Sequence, residues 1–581
     1  MRKILSKLVW VAVFIGIFIV FTNGITDADF WWHLKTGELI LETRSIPRTD
    51  IFSHTAAGRP WTAHEWPAQV IFFLVYRYLG LSGVVYFTAA LATLSFILLA
   101  LIAKKEDIPP ALSQLALVLG AVAVAPFMIP RPQMFYFVLW SLLIVLLHRY
   151  ILGERRVIYA IPLLFFFWAN LHASMYLMVL LIAVFLGAEA VIVTGKQQSV
   201  LAKHRGILIA TVIGSLVALV NVNTTIVYTF IAKVIPVQKT LSVSEWGSFL
   251  REYRAWQAWV LIAFYLLVLL TFLMSVKRKA RAGPMKQGMI VFTFILFSLV
   301  SSKFVPLAVL LAVPLVAQNL RGLLRFHSGR ILPVGVVLML LLSLGYHRYL
   351  GRPLNAHEDA FPWKAARFVS DSRPEGSMYN TYNFGGFLIW SLYPQYRVFI
   401  DGRYEMFEPD AAAAFHAMLN GAPEWESGLQ KYGVSFLVLP PVEVHSALAQ
   451  STDWVLVYFD NHAAVFVKDD GRNRRLIDAF GYRVIHPFSG EPRYGSQEQE
   501  AAISEYRRSL ENDPDIFRSH YDLGMIYLGR QEYGQSEAHL REAVRVFPSS
   551  VNSRLNLAVA LEKQGKVEAS QLEYGQAQEL R

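Results

Sequence analysis

The side chains best suited to chemistry are concentrated in one polar segment, residues 25–80. Its carboxylates, imidazoles and indoles include Asp27, Asp29, Trp31, Trp32, His33, Asp50, His64 and Glu65. A carboxylate within hydrogen-bond reach of an acceptor group can remove its proton, and two or three carboxylates can together hold Mg²⁺ or Mn²⁺. The segment is therefore a candidate site for general-base chemistry, with the need for a metal ion left open.

The two neighbouring tryptophans of this segment, Trp31 and Trp32, allow two interpretations. Indoles are enriched where a membrane meets water, and they also form flat platforms for sugar rings. An aromatic belt would account for either tryptophan taken singly. The carboxylates together with His33 and His64 favour a functional site for the segment as a whole, in which both histidines are candidate substrate-binding residues.

The elements that must position this segment are hydrophobic helices. The chain of 581 residues is 55% hydrophobic and only 17% charged, and its apolar stretches are long enough to cross a hydrocarbon core. Most of the Lys and Arg residues behind the net charge of +11 lie in short loops, which indicates membrane topology rather than nucleic-acid binding. The absence of cysteine excludes disulfides and thiolate metal sites.

We predict a polytopic α-helical membrane domain over residues 1–350, with about eleven transmembrane helices. The predicted spans are 5–21, 84–103, 112–129, 135–147, 157–171, 176–193, 207–222, 259–276, 289–301, 305–317 and 331–345. An amphipathic helix is expected over residues 67–79, at the membrane interface. The first apolar run lacks a cleavage motif after it, which favours an uncleaved helix over a signal peptide.

The loops that alternate with these spans predict the orientation. Every loop assigned to the inside is basic, and the residues concerned are Lys104, Lys105, Arg149, Arg155, Arg156, Lys196, Lys203, Arg205, Lys277, Arg278, Lys279, Arg281, Lys286, Arg321, Arg325 and Arg330. Cytoplasmic loops carry such an excess of positive charge. With an odd number of spans, we expect the inner membrane of a bacterium, a cytoplasmic N-terminus and a periplasmic C-terminal part.

Further polar residues fall at the outside ends of the predicted spans. The ones that we single out as candidate substrate-binding residues are Arg131, Asn170, His172 and Lys303. Arg131 and Lys303 are the sparse cations among them, and an anion such as a lipid phosphate would need them. Snorkelling towards water, or pairing with an acidic neighbour, is the alternative for each cation taken alone.

A soluble part follows the membrane domain. Residues 351–475 have the pattern of a small periplasmic α/β domain, with helices expected over 363–369 and 385–392 and strands over 376–380, 397–400, 436–439, 454–459 and 463–467. A linker is expected over residues 476–496.

Residues 497–581 contain an internal repeat of 34 residues. Pro514 recurs as Pro548, and Tyr506 is matched by Leu540 and Tyr574. The period and the residue types resemble the tetratricopeptide repeat, an all-α hairpin whose concave face binds a protein partner. We expect two full repeats and one trailing half-repeat helix, with small residues such as Ala543 and Ala577 buried where helices touch.

An odd number of spans, acidic residues in a large first outside loop and a soluble C-terminal domain on the same side together resemble the GT-C class of membrane glycosyltransferases. The resemblance covers residues 1–470 and implies a polyprenyl-phosphate-linked sugar as donor and inverting transfer. It makes Asp29 the first choice for the catalytic base, because the essential acid of this class follows the first span. It implies that Asp27 and Glu65 orient the acceptor or, with Asp29, hold a divalent cation such as Mg²⁺ or Mn²⁺.

A second similarity lies in residues 382–390, with the sequence YNFGGFLIW, and in residues 398–403, VFIDGR. Their layout is similar to the soluble domain of oligosaccharyltransferase catalytic subunits. This chain lacks the tandem tryptophans and the aspartate of their motif, so the similarity does not extend to an Asn-x-Ser/Thr acceptor. An ordinary strand-ending turn is the alternative for Asp401 and Gly402.

Three other functions are alternatives to a glycosyltransferase. A non-catalytic scaffold that recruits partners through its repeats does not need eleven spans. A transporter is disfavoured, because no charge pair is evident within a span. A ligase that moves whole oligosaccharides from a lipid carrier would use the same carboxylates and differ in its acceptor.

Overall fold

A computed structural model describes residues 2–192, 200–222, 255–277, 282–323, 360–403, 406–488, 494–495 and 497–580. The chain forms two compact units. The membrane unit comprises Met1–Arg48 and Pro60–His357, and the C-terminal unit comprises Thr49–Arg59 and Glu358–Arg581. Part of the predicted first outside loop therefore folds with the C-terminal unit.

The described part of the membrane unit is built of helices. They are α1 Arg2–Val20, α2 Asp29–Thr43, α3 Trp66–Lys105, α4 Pro110–Val124, α5 Gln133–Ile151, α6 Ile161–Leu171, α7 Tyr176–Ile192, α8 Val200–Lys203, α9 Arg205–Val217, α10 Ala255–Lys277, α11 Ala282–Val300 and α12 Val305–Leu323. Short 3₁₀ turns at Ala125–Phe127, Arg155–Ala160, Ala173–Met175 and Ser302–Phe304 connect several of them. Large aromatic side chains such as Phe96, Trp140 and Trp168 fill the core between the helices.

Six of the described helices are long and apolar enough to cross a membrane, and Ser6–Val20, Arg205–Val217 and Met285–Val300 are shorter apolar helices. The first ten predicted spans coincide with described helices, whereas the span predicted over residues 331–345 lies outside the described residues. The chain is a polytopic α-helical membrane protein.

Helix α3 contains both the predicted interfacial helix and the second predicted span. Its helical conformation is interrupted at Gly80, which has a φ of 67° and a ψ of −170°. Glycine adopts this left-handed region without the clash that a Cβ atom would cause. The break lies between the two predicted segments, 67–79 and 84–103, which are therefore separate helical segments of α3.

The C-terminal unit contains a small mixed sheet. Its elements up to the repeats are α13 Trp363–Ser372, β1 Ser377–Asn380, α14 Tyr382–Leu392, α15 Pro409–Asn420, α16 Trp425–Lys431, β2 Val434–Leu439, α17 Ser446–Ala449, β3 Trp454–Phe459, β4 Ala464–Lys468 and α18 Arg474–Phe480. The strand order is β1-β2-β4-β3, with β1 parallel to β2 and the other neighbours antiparallel.

The strand predicted over residues 397–400 is wrong. This stretch contributes only an isolated bridge, in which Val398 pairs with Ser53. The Val398 N–H donates to the Phe52 carbonyl at 2.9 Å, and the His54 N–H donates to the Val398 carbonyl at 3.0 Å. The apolar pattern of the segment reflects burial next to the segment Thr49–Arg59 rather than membership of the sheet.

Five helices complete the C-terminal unit: α19 Gln499–Asn512, α20 Phe517–Gly529, α21 Tyr533–Val546, α22 Val551–Lys563 and α23 Val567–Glu579. The single helix α19 leads the two hairpins and does not trail them, because Pro514 and Pro548 each precede the first helix of a hairpin. Ala543 and Ala577 are fully buried, as predicted. Ile503 and Tyr506 of α19 share a hydrophobic core with sheet residues such as Leu437 and Phe466.

Candidate active site

Asp27 and Asp29 surround the guanidinium of Arg131. Arg131 Nη2 lies 2.7 Å from Asp29 Oδ2, and Arg131 Nε contacts Asp27 Oδ2. The Asp29 N–H donates to Asp27 Oδ1 at 2.8 Å, and Trp32 Nε1 donates to Asp29 Oδ1 at 3.1 Å. The Asp29 side chain retains 23% exposure against 6% for Asp27, so Asp29 is the more accessible carboxylate.

Local sequence explains how this cluster is positioned. Asp29 is the first residue of α2, where a carboxylate interacts favourably with the helix dipole. Arg131 lies between Pro130 and Pro132, directly before α5 begins at Gln133. A proline fixes its own φ and restricts the preceding residue, so the chain is held close to one conformation around Arg131.

Glu65 lies among three histidines. Its Oε1 is 3.1 Å from His172 Nε2 and 3.8 Å from His64 Nε2, and its Oε2 is 3.5 Å from His33 Nε2. The carboxylate is 9% exposed and directly precedes α3. Gln69, one turn further along α3, also belongs to the centre through His33 and was not predicted from the sequence.

Hydrogen bonds to the Nδ1 atoms define how each imidazole faces Glu65. The Ser174 N–H donates to His172 Nδ1 at 3.0 Å, and Gln69 Nε2 donates to His33 Nδ1 at 3.0 Å. In the neutral form, both rings therefore carry their proton on Nε2 and direct it towards the carboxylate. His64 has the other tautomer, because its Nδ1 donates to the Thr62 carbonyl at 3.1 Å.

Two imidazoles of this centre, those of His64 and His172, have lowered pKa values. Burial lowers the pKa of His64 to about 4. Burial also lowers the pKa of His172 well below its usual value, and His64, Lys303 and Arg131 lower it further. The electrostatic effect of Arg131 on His172 connects the aspartate cluster with the Glu65 centre.

A close crossing of α2 and α3 brings the two centres together. A Cβ atom at Gly37 would lie 2.2 Å from the Gln69 carbonyl oxygen, so the backbones approach more closely than any larger residue permits. Glycine is the residue that allows such an approach. Trp32 and His33 are on α2 and Gln69 is on α3, so this crossing sets their relative position.

The remaining predicted substrate-binding residues differ in their accessibility. Trp31 is completely buried and contacts Phe30 edge to face, which favours packing over sugar binding. Trp32 is 7% exposed and lies with its ring centroid 3.6 Å from that of His33. Asn170 donates to the carbonyls of Phe166 and Val220 at 2.9 and 3.2 Å, which connects α6 with the end of α9.

Lys303 is an exposed cation at the candidate site. It lies on the turn Ser302–Phe304, directly before α12, and its charge helps to lower the pKa of His172. Arg131 is engaged by two carboxylates, as the pairing alternative predicts. Lys303 is exposed and the Arg131 side chain is only 15% exposed, so Lys303 is the more accessible of the two predicted cations.

The expected metal ligands Asp27, Asp29 and Glu65 do not form a metal site in the described residues. No group of three or more His, Asp or Glu side chains within those residues is arranged to hold a metal ion. The Arg131 guanidinium lies where a cation would bridge Asp27 and Asp29. The use of Mg²⁺ or Mn²⁺ stays a prediction, and no step below depends on it.

A second cluster of aspartates and arginine lies within the C-terminal unit. Arg403 Nε and Nη2 donate to the two oxygens of Asp401 at 2.8 and 2.6 Å, and Arg403 Nη1 lies 2.9 Å from Asp50 Oδ1. Burial alone would lower the pKa of Arg403, but the charges of Asp401 and Asp50 outweigh burial and raise it. The sequence indicated Asp50 and residues 398–403 separately and did not predict their pairing, because Asp50 is distant in the chain from Asp401 and Arg403.

Comparisons with known proteins agree with this architecture. Residues 521–578 match the tetratricopeptide repeat family model. The structure is similar to the archaeal oligosaccharyltransferase AglB from Archaeoglobus fulgidus in complex with an inhibitory peptide and a dolichol-phosphate, with a TM-score of 0.54 and 9% identity over 94% of this chain and 86% of that chain. The apo form of the Archaeoglobus fulgidus oligosaccharyltransferase gives a TM-score of 0.52 and 9% identity over 80% and 74% of the two chains.

ArnT from Cupriavidus metallidurans in the apo state has a TM-score of 0.48 and 15% identity over 80% of this chain and 97% of that chain. A comparison with curated protein sequences gives no match. The likeness to the oligosaccharyltransferase structures is one of fold. The chain therefore shares the fold of these oligosaccharyltransferase structures, and residues 521–578 near its C-terminal end match the tetratricopeptide repeat.

Proposed function

We propose that the chain is a membrane glycosyltransferase that moves a sugar from a polyprenyl-phosphate carrier to a periplasmic acceptor with inversion at the sugar carbon. The observation that carries this proposal is the accessible Asp29 carboxylate, which is paired with Arg131. A second centre, formed by the Glu65 carboxylate and three imidazoles, lies in the same unit. The dolichol-phosphate and the peptide bound to the oligosaccharyltransferase of similar fold support a lipid phosphate and a separate acceptor.

Asp29 is the proposed general base. Its carboxylate removes the proton of the acceptor nucleophile while that nucleophile forms a bond to C1 of the sugar. The bond between C1 and the phosphate oxygen breaks, and the polyprenyl phosphate leaves with the bonding electron pair. The bonds from Arg131 and Trp32 to Asp29 fix the orientation of the carboxylate.

Glu65 has a positioning role in this proposal. The Nε2–H groups of His172 and His33 face its two oxygens, and burial keeps the carboxylate in one place. Lys303 is the proposed contact for the phosphate of the leaving group, because an ammonium stabilises the negative charge that grows on that oxygen.

The proposed orientation follows the basic loops, with the N-terminus in the cytoplasm of a bacterium and the candidate site facing the periplasm. The tetratricopeptide repeats are the proposed attachment point for a protein partner. An oligosaccharide ligase remains the related alternative, since it would use the same carboxylates and differ in what is transferred.

The direct test is turnover of the donor. Purified chain in lipid vesicles is supplied with polyprenyl-phosphate-linked monosaccharides and an extract of periplasmic acceptors, and the release of polyprenyl phosphate and the configuration of the product are measured. We expect release with inversion. A donor pool that stays intact with monosaccharide carriers but is consumed with oligosaccharide carriers would indicate a ligase, and no consumption of either would favour a scaffold.

A further inference from the structure

A second charged cluster lies at the other end of the membrane helices from the candidate active site. Helix α7 begins next to His172 and carries Glu189 in its last turn. Because a helix rises by about 1.5 Å per residue, Glu189 is roughly 20 Å from the beginning of α7. Lys203, before α9, and Lys286, in the first part of α11, both reach this carboxylate.

The cluster has an excess of positive charge. Lys203 Nζ donates to Glu189 Oε1 at 2.5 Å, Lys286 contacts Glu189 Oε2, and His204 Nε2 lies 3.5 Å from Oε1. Glu189 is 2% exposed, whereas the Lys203 side chain is 41% exposed. One carboxylate balances only one of two ammonium groups, and each ammonium has three protons to donate. The uncompensated charge is suited to an anion.

An open apolar cavity lies beside this cluster, between α3, α5, α7, α11 and α12. Its wall is formed mainly by aliphatic side chains such as Leu147, Leu181, Ile290 and Leu315. Small-molecule sites typically have mostly apolar walls with a few polar groups. An apolar chain therefore suits this space better than a sugar does.

Phe185 connects the cavity with the charged cluster. Its side chain lines the cavity, and its ring centroid is 5.6 Å from Lys286 Nζ. The ring of His204 also lies 5.6 Å from that of Phe185, centroid to centroid. A single ligand can therefore place an anionic group on the lysines and an apolar chain in the cavity.

A polar group in the cavity wall adds a further requirement. Gln287 Oε1 is buried, and no hydrogen-bond donor meets it within the described residues. A buried acceptor without a partner is destabilising, so a ligand that brings a hydroxyl group to it is favoured. The glycerol headgroup of phosphatidylglycerol supplies such a hydroxyl group, and phosphatidylcholine does not.

We propose that this cavity and the Lys203–Lys286 pair together form a binding site for an anionic membrane phospholipid, with phosphatidylglycerol as the lipid that fits best. The phosphate accepts hydrogen bonds from the two ammonium groups, the glycerol lies near Gln287, and one acyl chain enters the cavity. The site is separate from the candidate active site and does not depend on the proposed transferase function.

The test is native mass spectrometry of the purified full chain with phosphatidylglycerol, phosphatidylcholine of the same acyl chains, and polyprenyl phosphate. We expect selective retention of phosphatidylglycerol. The variant Lys286→Gln removes the excess positive charge and leaves Glu189 paired with Lys203. It should weaken binding about ten- to a hundredfold, as expected for a lost charge-assisted hydrogen bond.

Two further variants make the result specific. Ile151 lines the cavity and is 43% exposed, so Ile151→Trp should narrow the opening and reduce phosphatidylglycerol binding while the protein stays folded. Lys277→Gln removes an exposed lysine from the end of α10 and is the matched control that should bind as the unmodified chain does. Equal retention of both phospholipids, stronger retention of polyprenyl phosphate, or normal binding by Ile151→Trp would each overturn the proposal.

Discussion

The two units of this protein each place two aspartates around one arginine, but the two clusters differ in their surroundings. In the membrane unit, Asp29 is 23% exposed and is followed by a tryptophan and a histidine on the same helix. In the C-terminal unit, Asp50 and Asp401 have fully buried side chains, and Arg403 is 1% exposed. The same residue types therefore occur once in an accessible cluster and once in a sealed cluster.

Backbone hydrogen bonds add to the ion pairs of the sealed cluster. Asp50 accepts from the Phe52 and Ser53 N–H groups at 3.2 and 3.1 Å, in addition to its ion pair with Arg403. The guanidinium of Arg403 also lies 5.0 Å from the centroid of the Phe52 ring. A group without exposure cannot meet a substrate, so the sealed cluster stabilises the attachment of residues 49–59 to the C-terminal unit. Accessibility, rather than residue type, distinguishes the two.

The largest expected effect is a loss of stability in the sealed cluster. Arg403→Leu leaves two buried carboxylates without a cation, and breaking a buried pair in this way costs about 3 to 5 kcal/mol. We expect the variant to accumulate poorly in the membrane and its C-terminal unit to be digested rapidly by added protease. Arg397→Leu is the control at a nearby arginine outside the cluster. Equal accumulation of both variants would contradict the stabilising role of the sealed cluster.

Glu65→Gln should have an intermediate effect, on activity rather than on abundance. The amide keeps the size of the side chain but loses the charge that accepts protons from His172 and His33, and a hydrogen bond to a charged group is worth about 1.5 to 3 kcal/mol. We expect glycan transfer to fall about ten- to a hundredfold. Glu38→Gln, on the neighbouring α2, is the control, and unchanged transfer by Glu65→Gln would remove this carboxylate from the site.

The smallest expected effect concerns pH. The folded-state pKa of His64 is lowered to about 4 from 6.5, so between these values an unfolded chain binds a proton at this residue that the folded chain does not. The contribution of His64 to stability therefore decreases as the pH falls from about 6.5 to about 4, and is recovered as the pH rises.

The variant His64→Asn isolates this contribution, because its amide retains a donor for the Thr62 carbonyl and does not titrate. Thermal unfolding of both proteins in detergent is measured from pH 7 to pH 4. We expect the stability of the variant to depend less on pH than that of the unmodified chain. Two parallel curves would show that the imidazole is not held neutral.

The sequence predicted those features that depend on local patterns. Apolar stretches identified ten spans that coincide with described helices, and a 34-residue period identified the repeats. The predicted residues Asp27, Asp29 and Arg131 are brought together, as are Glu65, His33, His64 and His172. Asp27 and Asp29 are predicted from their position after the first span, whereas Arg131 is predicted as a cation at the outside end of a later span, and its pairing with an acidic neighbour is one of two alternatives.

The features that the sequence did not predict depend on contacts between distant residues. Residues 49–59 contact residues near 400 through the ion pair of Asp50 with Arg403 and the bridge between Ser53 and Val398. A local sequence pattern does not predict contacts of this kind. Trp31 illustrates a related limit, because an indole next to a membrane has the same sequence pattern whether it is buried or accessible. Its complete burial follows from the packing of Phe30 and its neighbours.

The central claim is that the accessible cluster performs the chemistry and that the sealed cluster stabilises the fold. A comparison of Asp29→Asn with Asp50→Asn tests this claim most directly. Both aspartates belong to the predicted first outside loop, and both changes remove one charge without changing size. Membrane abundance and glycan transfer per folded molecule are measured for each variant in a deletion strain. Asp29→Asn should lose about a hundred- to ten-thousandfold in transfer at unchanged abundance, as the loss of a general base predicts, whereas Asp50→Asn should lose abundance and keep its transfer per molecule. Normal transfer per molecule by Asp29→Asn would contradict the account.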